Sequence, residues 1–145
     1  MLSWIQSVAN WASMLYRNND EETRETILTK WLQKSTGWLQ GLRPILPPYP
    51  AKHTYVKYRL VKTDVLEVSL IAWGEHASTP IHDRSAANGG SWMRVIQGCL
   101  YEESAENVHA RTTGFVGYRE GPLDMQRIHT LQPAYSIHID SPCAL

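Results

Sequence analysis

Ser136, His138 and Asp140 alternate along a short apolar run, Ala134-Tyr-Ser-Ile-His-Ile-Asp140. The two-residue period of a strand puts these three side chains on one face. A hydroxyl, an imidazole and a carboxylate so placed could relay a proton, with His138 titrating near neutrality and Asp140 tuning it. The same composition also suits a plain polar cluster, and the sequence does not separate the two. Neighbours on one strand lie side by side, so the stacked order of a hydrolytic triad is not expected. Two further histidines stand out. His82 follows a Pro-Ile step ahead of a Gly-rich turn, and His129 sits in Arg-Ile-His-Thr-Leu.

These residues need a scaffold, and the sequence suggests one. Trp4, Val8, Trp11, Ala12 and Leu15 recur at helical spacing, as do Ile27, Leu28, Trp31 and Leu32. Asp20 is the expected N-cap of the second helix, with Glu21 and Glu22 in its first turn and Gly37 as a C-terminal stop. Trp4, Trp11, Trp31 and Trp38 are expected to cement the helices to the rest of the fold. Helical sequence thus fills residues 1–43, and the four prolines of the 44–53 segment can neither continue a helix nor pair as a central strand. From residue 54 to 145 short β-prone runs follow: Tyr55–Lys62, Val65–Trp73, Pro80–Asp83, Trp92–Tyr101, Gly114–Tyr118, Met125–Leu131 and Tyr135–Ile139. Their Gly, Asn, Asp and Pro punctuation suits an antiparallel sandwich or barrel.

At 145 residues the chain fits one domain. Lys and Arg together number 14, as do Asp and Glu. With no cationic run to attract nucleic acid or anionic lipid, a small-molecule partner is expected. The N-terminal stretch lacks a basic n-region and no apolar run reaches ~18 residues, so a soluble, cytoplasmic protein is expected. Two cysteines, Cys99 and Cys143, are too few for a disulfide-stapled fold and are expected as reduced thiols.

The stretch Trp73-Gly-Glu-His-Ala-Ser-Thr-Pro-Ile-His82-Asp-Arg84, continuing to Trp92-Met-Arg-Val-Ile-Gln-Gly98, resembles the cysteine dioxygenase (thiol dioxygenase) family, where a Trp-Gly segment leads to Ile-His-Asp-His and a later aromatic strand ends in Gly. Ala134-Tyr-Ser-Ile-His-Ile-Asp-Ser-Pro142 is similar to the family's Ala-Val-Ser-Leu-His-Leu-Tyr-Ser-Pro. The resemblance implies a mainly β fold: a small cupin-type antiparallel barrel, or jelly roll, preceded by two or three helices. It further implies mononuclear Fe(II) held by histidines and used with dioxygen to oxidise a small thiol or amino-acid-derived substrate. Carried over, the ligands are His82 and His129, the latter through a hairpin turning at Pro133 and Ala134 that sets it across from His138; an ungapped alignment puts Leu123 there instead.

Arg84 stands where the family has its second histidine, and a guanidinium cannot donate a lone pair to iron. Arg84 could instead hold a substrate carboxylate, the role for which Lys57 and Arg59 on the first strand are the other candidates. Asp140 replaces the family's relay tyrosine, and Ser91 stands where some members carry the cysteine cross-linked to it. The missing ligand opens two alternatives: a metal-free barrel running an isomerisation, elimination or cyclisation with His138 and Asp140 as acid and base, or an inactive paralogue that only binds a ligand.

Overall fold

A computed structural model of the chain describes residues 2–18, 20–34, 41–79, 91–104, 106–119 and 127–141. Two helices, α1 (Leu2–Arg17) and α2 (Glu21–Lys34), occupy the segments with helical apolar spacing. Asp20 caps α2: its Oδ1 accepts the Thr23 backbone N–H at 2.9 Å and the Thr23 hydroxyl at 2.6 Å, satisfying an amide that has no partner inside the helix. Ala12, Leu28 and Leu32 are buried and Trp31 packs beside them. Trp11 departs from expectation. It is 55% exposed, one position off the buried stripe, while Trp38 and the Trp4 side chain fall outside the described residues.

Eight strands follow: β1 (Tyr55–Lys62), β2 (Glu67–Trp73), β3 (Ser91–Gln97), β4 (Cys99–Glu103), β5 (Val108–Thr112), β6 (Val116–Arg119), β7 (Arg127–His129) and β8 (Ala134–Asp140). They form a five-stranded sheet in the order β1-β2-β8-β3-β6 and a three-stranded sheet in the order β5-β4-β7, with antiparallel pairing throughout. The run expected as one strand over Trp92–Tyr101 is two strands in different sheets. They part at Gly98, whose φ of 101° favours glycine and whose Cβ, were there one, would meet the Ala134 Cβ at 2.9 Å. β5 was not foreseen, and Pro80–Asp83 lies outside the described residues.

Alternation gives the larger sheet two different faces. Val68, Leu70, Ala72, Ile137 and Ile139 meet the helices. Ile71, Trp73, Met93, Val95 and Ala134 meet Leu100 and Ile128 of the smaller sheet. Both clusters are apolar, and full burial of one such side chain is worth about 1.5–3 kcal/mol. Arg94, on the helix side, donates from its guanidinium to the Leu32 carbonyl in the last turn of α2, where the helix dipole favours a cation; burial lowers its pKa. The proline connector is strapped to the outer face too, since Tyr49 stacks on Tyr135 with ring centroids 4.4 Å apart and the Tyr135 hydroxyl donates to the Pro47 carbonyl. Among the described residues no helix is long and apolar enough to cross a membrane.

Candidate functional site between the two sheets

β8 lies between β2 and β3, and its odd-numbered residues Tyr135, Ile137 and Ile139 are claimed by the apolar layer under the helices. Ser136, His138 and Asp140 are therefore turned toward the smaller sheet. The register sets Ser136 between Ile71 and Val95, His138 between Ser69 and Met93, and Asp140 between Glu67 and Ser91.

Two hydrogen-bonded pairs hold the three polar residues. The Trp73 indole N–H donates to Ser136 Oγ at 2.9 Å, and Ser136 Oγ lies 2.7 Å from His138 Nε2. All three residues are buried. Because the indole can only donate, the serine oxygen accepts there and its own proton is available for the imidazole; the direction of that bond follows the histidine tautomer. Asp140 bonds to the neighbouring strand β3. Its Oδ1 accepts a hydrogen bond from Ser91 Oγ at 2.6 Å. Ser91 and Asp140, the positions the resemblance equates with a cysteine and a tyrosine, are thus cross-strand partners joined by a hydrogen bond.

Lys57 and Arg59 stand on the same face of the larger sheet as His138, in register with Ile71 and Ser69. Arg59 Nε and Lys57 Nζ lie 3.3 and 3.9 Å from Glu67 Oε1, with side chains 61% and 48% exposed. They pair with that carboxylate at the open edge of the sheet, an arrangement worth little in water. His129 does not sit across from His138, because β7 pairs with β4 and β8 pairs with β2 and β3. The ring stacks on Tyr101 with centroids 5.1 Å apart, and Nδ1 is 3.5 Å from Glu103 Oε2, while the preceding residue Ile128 points into the inter-sheet cluster. The hairpin expectation fails because Ile128, not His129, supplies the apolar contact the interior needs. His82, Arg84 and Leu123 lie outside the described residues, as does Cys143, and Cys99 is an unpaired thiol.

Of the expected histidines, His82 lies outside the described residues, which leaves His129 and His138. Among the described residues no three His, Cys, Asp or Glu side chains converge, His129 is on the far side of its sheet, and His138 Nε2 is engaged by Ser136.

The interior also holds a pair the sequence reading missed. Glu102 is 7% exposed and accepts a hydrogen bond from Arg111 Nε at 3.2 Å. The Arg111 guanidinium carbon lies 4.3 Å from the centre of the Phe115 ring. Both line a cavity of about 250 Å³ whose wall also includes Ser91, Met93 and Gly117, so it adjoins the strand rows of His138 and Asp140. One signal was present: Glu102 follows Leu100 by two residues in β4, putting a carboxylate on the core-facing side.

The fold is that of the cupins. Over 70% of this chain and 87% of its own length, a cupin superfamily protein from Desulfitobacterium hafniense superimposes with a TM-score of 0.59 at 11% sequence identity. KdgF from Halomonas sp. gives a TM-score of 0.54 at 16% identity, covering 62% of this chain and 82% of that one. An RmlC-like cupin from Shewanella frigidimarina gives 0.54 at 14% identity over 66% and 82%. No family model matches the chain, and no curated protein matches it in sequence. At these identities the likeness is one of fold, on which many chemistries are built.

Proposed function

We propose that the protein acts on a small molecule held between its two sheets, with His138 as the proton-transfer group and without the three-histidine iron centre that its resemblance to thiol dioxygenases implies. The observation that carries this is the buried chain from Trp73 through Ser136 to His138 Nε2. An imidazole is the side chain that takes and returns a proton near neutrality. Ser136, fixed by the indole, holds Nε2 in place and can pass a proton at that atom. The non-oxidative reactions open to such a group are isomerisation, elimination and cyclisation of a substrate with an acidic C–H. Turnover by metal-depleted protein that is lost in His138→Gln is the expected result, and turnover that vanishes with chelator and returns with iron would overturn it.

A second reading has an observation of its own. Ser136 with His138, and Ser91 with Asp140, fall in contact at positions where the thiol dioxygenase family carries its relay and its cross-link. This favours oxidation of a small thiol by dioxygen, with Fe(II) on His82 and ligands other than the outward-facing His129. Thiol-dependent oxygen uptake by iron-loaded protein tests it, and iron-loaded protein that consumes no oxygen with any small thiol rejects it.

A further inference from the structure

β5 carries a cation into the space between the sheets that neither polar pair on β8 uses. Arg111 is in register with Leu100 of β4, a buried member of the inter-sheet cluster. Its side chain is 25% exposed and that of its partner Glu102 only 8%. Two contacts fix the plane of the guanidinium: the Nε–H bond to Glu102 Oε1 along one edge and the Phe115 ring against one face. Gly117 makes the second contact possible. A Cβ at that position would come within 2.8 Å of Phe115 Cε1, so any larger residue would displace the ring.

These contacts use one of the five N–H donors of the arginine. Among the described residues the two terminal amino groups have no hydrogen-bond partner, and the guanidinium lines the cavity. An arginine held in a fixed plane with its terminal fork unused suits a planar, two-oxygen anion, since the fork matches a carboxylate through two parallel bonds. The cavity volume of about 250 Å³ lies below the ~300–1,000 Å³ typical of pockets for drug-sized ligands. The occupant is therefore small, and Met93 and Phe115 offer it an apolar wall.

We infer that Arg111 anchors the carboxylate of a small organic acid in this cavity, with Glu102, Phe115 and Gly117 as its positioning residues. This rests on reading the inter-sheet space as a small-molecule site, and it is independent of whether His138 moves a proton.

The test is calorimetric titration of the full chain with glycolate, thioglycolate and glycine, and with glycolamide and glycinamide as counterparts lacking the carboxylate. The acids bind and the amides do not. Arg111→Lys keeps the charge but loses the fork, weakening acid binding about 10- to 100-fold, the equivalent of one charge-assisted hydrogen bond. Gly117→Ala keeps Arg111 but shifts Phe115 and also weakens binding, which guards against a folding defect in the first variant. Arg127→Met, on the far side of the smaller sheet, leaves it unchanged. Wild-type protein that binds none of the acids at millimolar concentration overturns the inference, as does a folded Arg111→Lys protein that binds them with unchanged affinity. His138→Gln separates the two proposals: carboxylate binding survives there even where turnover is lost.

Discussion

Removing one oxygen atom, by Ser136→Ala, should destabilise the protein out of proportion to its size. Ser136 is fully buried, and its hydroxyl serves both the Trp73 indole and His138 Nε2. Alanine leaves the indole N–H buried with no acceptor, at a cost of about 1–3 kcal/mol, and removes the bond to the imidazole, worth about 0.5–1.5 kcal/mol. The sum of about 1.5–4.5 kcal/mol is a large part of the ~5–15 kcal/mol that holds a typical domain together. At about 2–4 °C per kcal/mol for a chain near this length, Tm should fall by about 3–18 °C. Urea denaturation should show a lower midpoint with an unchanged slope, because the folded and unfolded surfaces barely differ. Trp73→Phe removes the donor instead, so the pair of changes should be non-additive by about 1 kcal/mol or more. A loss below about 0.5 kcal/mol, the range of ordinary surface changes, or strict additivity with Trp73→Phe, would refute the buried network.

Gly98→Ala should cost at least about 1–2 kcal/mol, because the positive φ disfavours a side chain and the added methyl meets Ala134; thermal melts with Tm unchanged would contradict the sheet-to-sheet corner. Leu100→Ala, at a fully buried position between the sheets, should lose about 2–5 kcal/mol in denaturant titration. The Arg127 guanidinium hydrogen-bonded to Glu103 holds that carboxyl below its ordinary range, with a smaller contribution from His129. The folded state then binds this proton less readily than the unfolded one. The pair therefore stabilises above the usual carboxylate range, and its contribution is lost as pH falls through the depressed value. Arg127→Met should move the Glu103 titration upward in NMR, and an unmoved curve would sever that link.

The sequence exposed the parts of this fold that obey a period. β8 announced itself by alternation, which gave the shared face of Ser136, His138 and Asp140. The split of β3 from β4 was hidden because both strands are apolar and only the φ of Gly98 separates them. β5 was hidden for a different reason. Its residues Val108-His-Ala-Arg-Thr112 are mostly exposed, and its one half-buried side chain, Arg111, is a charge. Period-based reading finds apolar stripes, so it passed over the strand that brings a cation inside. His129 was misplaced by local texture. Which strand β7 joins depends on where its apolar residue finds a partner, and Ile128 finds one across β4 rather than β8.

The most direct test of the interior site as a proton-transfer centre rather than a three-histidine iron centre is the iron content of protein produced with iron supplied and purified without oxygen. Well under one iron per chain, unaffected by His129→Ala, is the expected result. One tightly held iron per chain that His129→Ala removes would contradict both the placement of His129 on the outer face and the reading of the site.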